Sequence, residues 1–246
     1  KRHPKITIRY SKFREEEYKQ KMLEAWALGQ GPDLFMIPNT QIREYLKFLE
    51  PMPKTMKAPV DEVKGTIKKE TVTKIQTYDG LTIKQVRDKF IDIIPSDVII
   101  NDKIYALPYS VDVLSVYYNK DLLKNSNIPL PATSWKELID QAAAISKVDA
   151  NDTLVQSTIA LGTTNNVPVV FDILSTIMMQ VGIAMEADGK PAFQANPKTL
   201  EAIQFFLSFS RPGLQNYSWS TDLPDALDAF TAGKLAYFIG YPYHAQ

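Results

Sequence analysis

The apolar positions of this chain change period along its length. Ile6, Ile8 and Tyr10 alternate with Thr7 and Arg9, the period-two pattern of a strand. Tyr18, Met22, Ala25 and Trp26 then recur at helical spacing, which predicts an amphipathic helix stopped by Gly29. Residues 34–37 are a short apolar run after the Gly31-Pro32 turn and predict a second strand. Strand, helix, strand at this spacing is a βαβ unit with parallel strands. Asn39 and Thr40 then stand beyond a strand's carboxyl end, where open α/β sheets bind ligands. Residues 41–49 read as a helix ended by Pro51 and Pro53. Residues 56–90, rich in Lys, Thr and Glu, read as a solvated helical face with loops.

The pattern is densest in residues 101–123, NDKIYALPYSVDVLSVYYNKDLL. Asn101 and Asp102 are turn formers. Residues 104–118 are almost continuously apolar and predict a strand buried on both faces. Pro108 cannot donate a ladder hydrogen bond, so the strand should bend there. Asp112 puts a carboxylate in this run, which is costly unless it is paired, hydrogen-bonded or facing a wet cleft. A bent connector carrying one acid suits a passage between two domains over a ligand cleft, with the division near Val111.

The second half is again α/β. Asn119 predicts a helix cap. Ser134 with Glu137 forms a capping-box pattern ahead of Trp135, Leu138, Ile139, Ala142 and Ala143 on one face. Residues 158–161 predict a strand followed by the polar loop 162–166. Residues 169–181 predict an apolar helix whose Met178-Met179 pair fills core. Asn196-Pro197 opens a helix through Phe209. Residues 222–232 predict a helix stopped by Gly233, and residues 235–239 a strand with 240–244 at its carboxyl end.

Composition narrows the chemistry. The 246 residues suffice for one large domain or two small ones, and 45% are hydrophobic. Lys plus Arg equals Asp plus Glu at 28 each, which gives no electrostatic case for nucleic acid or an anionic membrane. The chain has no cysteine, hence no disulfide, thiolate metal site or cysteine nucleophile. Its two histidines are His3 and His244, and no G-x-S-x-G elbow accompanies them. Gly29-Gln30-Gly31 lacks the rest of a dinucleotide fingerprint, and no Walker loop or metal-ligand cluster is present. No cofactor and no metal are therefore expected. Glu15-Glu16-Glu17 reads as a solvated helix face rather than a pair of glycosidase acids.

What remains is a set of binding groups. Sugars present hydroxyls and apolar C–H faces, so their sites need carboxylates or amides beside aromatic rings. Asp112, Asn39 and Asn165 are the polar candidates, with Ser110 and Asn166 weaker; Tyr241 and Tyr243 are the aromatic ones. Each has a plainer alternative: Asn39 as a helix cap, Asn165 and Asn166 as loop residues, the tyrosines as packing.

Four stretches carry a family resemblance: SVDVLSVYYNKDLL at residues 110–123, GQGPDLFMIPN at 29–39, TSWKELIDQA at 133–142 and DAFTAGKLAYFIG at 228–240. Together they resemble the extracytoplasmic solute-binding proteins of sugar ABC importers, the maltose-binding protein superfamily. The resemblance implies an α/β fold of the periplasmic-binding-protein type II kind. It implies two lobes joined by a hinge, 1–111 and 112–246, both incomplete because family members usually extend further at each end. It implies a non-enzymatic, monomeric protein outside the cytoplasm that binds a sugar or oligosaccharide between its lobes and hands it to a membrane ABC permease. Asp112 occupies the place of a ligand-binding acid in the crossover, and Asn39 the place of another. The family's aromatic cleft residue after Gly240 is often tryptophan; here either Tyr241 or Tyr243 takes the role. Two rival readings are a glycan-processing enzyme, which needs a second cleft carboxylate, and a sensory or adhesive module.

Overall fold

The computed structural model describes residues 5–65, 68–151, 153–187 and 189–245, without the side chains of Glu15 and Glu16. His3 and the first two acids of the Glu15-Glu16-Glu17 run thus lie outside the described residues or side chains. The chain divides into two compact units, Lys1–Ser110 and Val111–Gln246.

In the first unit, helix α1 (Glu15–Ala27) forms where the spacing predicts it. Gly29 ends it in the left-handed region at φ 67°. Helix α2 (Ile42–Tyr45) lies between two 3-10 turns, Asn39–Gln41 and Leu46–Phe48, so the expected helix is broken into short pieces. Trp26 stacks on Phe48 with ring centroids 4.5 Å apart, and Phe35 and Tyr45 meet Trp26 edge-on.

Strands β1 (Thr55–Lys64) and β2 (Glu70–Asp79) follow as an antiparallel hairpin running from Thr55 opposite Asp79 to Lys64 opposite Glu70. This corrects the expectation of a solvated helix over much of 56–90. Thr71, Thr73, Ile75 and Thr77 fall on one face of β2, and such β-branched residues favour the pleated surface. Beyond the hairpin, α3 (Ile83–Lys89) starts at a full capping box between Thr82 and Gln85. Helix α4 (Ile93–Val98) leads into the two-residue strands β3 (Ile99–Ile100) and β4 (Lys103–Ile104). Asn101 and Asp102 join them with φ of 49° and 56°, the paired left-handed geometry of a type I′ turn. Val86, Ile94, Val98 and Ile104 form the small core beneath.

Two strand expectations fail in this unit. Residues 6–10 and 34–37 are irregular, and Ile8 and Leu34 are 83% and 91% exposed. Among the described residues neither segment has a partner strand. An alternating or apolar run without a ladder satisfies neither its backbone groups nor its buried face. The predicted βαβ unit is therefore absent from the described residues.

The second unit comprises β5 (Ser115–Tyr118), α5 (Lys120–Asn125), α6 (Trp135–Ile145), β6 (Lys147–Val148), β7 (Leu154–Ile159), α7 (Val170–Gln180), β8 (Glu186–Ala187), β9 (Lys190–Pro191), α8 (Lys198–Ser208), α9 (Ala226–Thr231) and β10 (Leu235–Gly240). Local caps start its helices. Asn119 Oδ1 accepts from the amides of Asp121 and Leu122, both at 3.0 Å. Ser134 Oγ accepts from Glu137 N at 3.2 Å. The Glu137 carboxylate, however, accepts from Thr133 rather than closing the box on Ser134. One sheet has the order β5-β10-β7-β6, with β10 parallel to β7 and antiparallel to β5. Its core holds Phe209, Trp219, Leu235, Tyr237 and Phe238 at near-zero exposure.

The long strand expected over 104–118 is also corrected. It survives only at its two ends, as β4 and β5, and Val113 between them is 67% exposed. Pro108 breaks the ladder as expected, but the apolar residues around Asp112 lie on the surface. Met178 is buried while Met179 is exposed, so only one of the pair fills core; Ala143 is exposed too.

Candidate functional site

Because β7 and β10 are parallel neighbours, their carboxyl ends open on the same edge of the sheet. β5 runs the other way, and its first residue, Ser115, pairs with Gly240 at the end of β10. Three segments therefore share that edge: 162–166 after β7, 241–244 after β10, and the approach to β5 that carries Asp112. In α/β sheets this is where ligands bind.

Tyr241 is held from several directions. A Cβ on Gly240 would sit 2.5 Å from Phe238 Cε1 and 2.8 Å from His244 Nδ1, so the chain packs there as only glycine permits. The 3-10 turn Pro242–Ala245 follows. Tyr241 N donates to His244 Nδ1 at 3.0 Å, and His244 N donates to Tyr241 O at 3.0 Å. The Tyr117 hydroxyl donates to the same carbonyl at 3.2 Å. The Tyr241 and Tyr243 rings lie 5.7 Å apart at 26°, and Tyr243 lies 4.3 Å from the His244 ring.

The Tyr241 pKa is pushed up to about 12, first by burial, then by the negative charge of Asp172, with smaller contributions from Tyr243 and Asp112. The phenol is therefore neutral at ordinary pH. Asp172 sits in the first turn of α7, where the helix dipole favours a carboxylate. The residue capping that helix, Val169, has φ 50° and no side-chain capping bond. A β-branched residue in the left-handed region is strained, and such strain clusters at functional sites.

The candidate residues fare unequally. Asp112 is exposed and lies near enough to Tyr241 to act on its phenol. Asp112, Tyr241 and Tyr243 thus come together. Asn165 is exposed on the loop after β7, at the same sheet edge. Asn166 has no valence left for a ligand. Its Nδ2 donates to Ser220 O and Leu223 O at 2.9 Å each, and its Oδ1 accepts from Thr163 Oγ1 at 2.6 Å and Trp219 Nε1 at 3.1 Å. It pins the loop to the core. Asn39 and Ser110 belong to the first unit and are exposed. Asn39 does not cap a helix; its Nδ2 donates to Asp97 Oδ2 at 2.9 Å.

The sequence reading missed Asp172. Its signal was an acid in the first turn of an otherwise apolar helix. His244 was weighed only as a catalytic base, and the structure uses it to close the turn behind Tyr241. Two grooves of about 590 Å³ and 1120 Å³ lie elsewhere, and none of the candidates lines either. Among the described residues no group of acids and histidines is arranged to hold a metal ion, and no helix is long and apolar enough to cross a membrane.

The family model for the bacterial extracellular solute-binding proteins matches residues 1–246, and the chain belongs to that family. An ABC transporter solute-binding protein from Agrobacterium vitis S4, solved with bound D-mannitol, superposes with a TM-score of 0.53 at 19% identity over 98% of this chain and 52% of that one. The sugar-binding protein MalE of Xanthomonas citri gives 0.56 at 17% identity over 98% and 54%. At these identities the likeness establishes the fold, the α/β architecture of MalE-type periplasmic binding proteins. A protein of Brucella abortus (strain 2308) named as a binding protein is 33% identical over 70 residues, 28% of this chain and 17% of that one. The chain therefore spans about half the length of the solved structures it matches and a smaller part of the curated relative.

Proposed function

We propose that this protein binds a sugar or oligosaccharide between two lobes, 1–111 and 112–246, and delivers it to a membrane ABC permease from outside the cytoplasm. The family match over the whole chain carries this reading. The mannitol bound in one structural relative and the sugar-binding name of another support it. So does the chemistry gathered at Tyr241: a ring pair to cover C–H faces beside a carboxylate to pair hydroxyls. Asp112, Tyr241 and Tyr243 contact ligand from the second lobe, with Asn165 at the same edge; Asn39 and Ser110 serve from the first. Ligand held by both lobes favours a closed state because it gains contacts the open state lacks. The protein acts as a monomer and no bond is broken.

A thermal-shift screen of the intact protein against neutral mono-, di- and trisaccharides and polyols tests this. A sugar at 100 times its dissociation constant adds about 2.7 kcal/mol of stability. No shift from any of them would sink the reading. The placement of a second acid, Asp172, beside Tyr241 favours one rival, since a glycosidase needs two carboxylates. Incubation of the protein with the sugars that bind separates the two: a binding protein returns them unchanged.

A further inference from the structure

The groove of about 590 Å³ lies wholly in the second unit. One wall is a face of α5 and its end, where Lys120, Leu123, Lys124 and Asn127 follow at helical spacing. The other is the segment 128–131. Asn127 makes the turn between them in the left-handed region at φ 57°, which asparagine tolerates. Its amide donates to Lys124 O at 3.0 Å, and the Ile128 amide donates to Leu123 O at 2.9 Å. The far end of the segment is pinned to the core. Gln141 Nε2 donates to Leu130 O at 3.3 Å, and the Ala132 amide donates to the hydroxyl of fully buried Tyr237 at 2.9 Å. That hydroxyl donates in turn to Gln141 Oε1 at 2.6 Å. Pro129 and Pro131 fix φ on either side of Leu130, whose side chain is held 73% exposed. Both walls are thus in place before anything enters.

The charges of this groove have one sign. Lys120 and Lys124 line it, and no acid does. Among the described residues neither lysine has an ion-pair partner. Lys120 opens α5, where the helix dipole disfavours a cation, so its charge does nothing for the helix. Apart from the Tyr118 ring and the Asn127 amide, the rest of the lining is leucine, isoleucine and proline. A concavity of this volume, mainly apolar with a few polar groups, has the make-up of a small-molecule site. Two unpaired ammonium groups one helical turn apart call for an anion, and the apolar walls call for a hydrophobic body attached to it.

We propose that this groove is a second binding site, for a small carboxylate with an apolar body. Lys120 and Lys124 hold the carboxylate, and Leu123, Ile128 and Leu130 pack against the body. None of the candidate sugar-binding residues lines the groove, so the proposal stands apart from the sugar-binding reading.

Titration calorimetry of the intact protein with octanoate, octylammonium and octanol tests it. At low salt octanoate should bind at least about tenfold tighter than either of the others, equivalent to about 1.4 kcal/mol. Its affinity should fall as added salt screens the exposed lysines. The double variant K120Q/K124Q should bring octanoate down to the level of octanol. Leu130→Ser should weaken octanoate and octanol alike at an unchanged melting temperature, because the side chain it removes is exposed. Octanoate that binds no tighter than octylammonium, or equally well to K120Q/K124Q, would overturn the proposal. An unchanged octanoate affinity in Leu130→Ser would remove the segment 128–131 from the site. Silence from octanoate would overturn the small-molecule assignment, whether or not an acidic, leucine-bearing peptide binds in its place.

Discussion

In the second unit, four strands share one sheet, and consecutive residues of β10, Leu235, Ala236 and Tyr237, are all fully buried. In the first unit, the longest strands, β1 and β2, pair only with each other, and every described sheet has two strands. Both halves are supplied with apolar and β-branched residues, yet Ile6, Ile8 and Ile75 face solvent in one while Ile159 and Phe238 are covered in the other. The difference lies in partners. A central strand such as β10 has a neighbour on each side and helices over its faces, so every residue finds contacts. A two-stranded ribbon leaves two edges and much of each face to water.

The sharpest way to break this comparison is to remove one tryptophan from each unit. Trp219 is fully buried and donates its indole N–H to Asn166. Trp219→Ala should cost about 3–5 kcal/mol. Trp26 is only half-buried, and Trp26→Ala should cost about 1–2 kcal/mol, in the ordinary range for single changes. Guanidinium unfolding followed by circular dichroism reads both. Equal costs would mean that the first unit is as tightly packed as the second.

A smaller effect separates binding from packing within the second unit. If the proposed sugar site is right, Asp112→Ala should weaken sugar binding by about 1.5–3 kcal/mol, the range for hydrogen bonds to charged groups. It should leave the melting point unchanged, because the side chain is exposed. An unchanged affinity with a lowered melting point would make Asp112 structural.

The Tyr241 phenol offers a gentler probe. Its pKa is pushed up to about 12 in the fold, against 10.0 for an unperturbed tyrosine. Between those values the unfolded chain loses the proton while the folded one keeps it. Its contribution to stability is therefore complete below about pH 10 and is lost as pH climbs to about 12. Wild type should lose stability more steeply than Tyr241→Phe across that window. Parallel curves would remove burial and the Asp172 charge as causes.

The smallest effect belongs to the hairpin. Ile75 is 66% exposed, and Ile75→Thr should change stability by no more than about 0.5 kcal/mol. A larger loss in a thermal melt would reveal cover over that face.

What the sequence made legible was local. The Asn101-Asp102 turn, the Asn119 and Ser134 caps and the Gly29 and Gly233 stops all rest on a side chain or a glycine meeting backbone a few residues away. The order of elements in the second unit followed from those signals and from helical spacing. What failed was anything decided by a distant partner. Residues 6–10 have a strand's alternation but, among the described residues, no strand to pair with, whereas β1 and β2 hid their alternation among lysines, threonines and acids. Asp112, Tyr241 and Tyr243 could be named as candidates because their residue types suit sugars. Asp172 could not, because its charge acts on Tyr241 only once the fold has brought the phenol near the first turn of α7.

Val169 shows how selection can leave stability unused. A valine in the left-handed region gives up about 1–3 kcal/mol, and it also leaves the start of α7 without a side-chain cap. Asparagine tolerates the left-handed region and carries a capping oxygen, whereas glycine answers only the first demand. Val169, beside the candidate groups, is thus a place where an engineer could raise heat tolerance in a single step, without altering Asp112, Asp172 or either tyrosine. A more heat-tolerant version of this scaffold would start there.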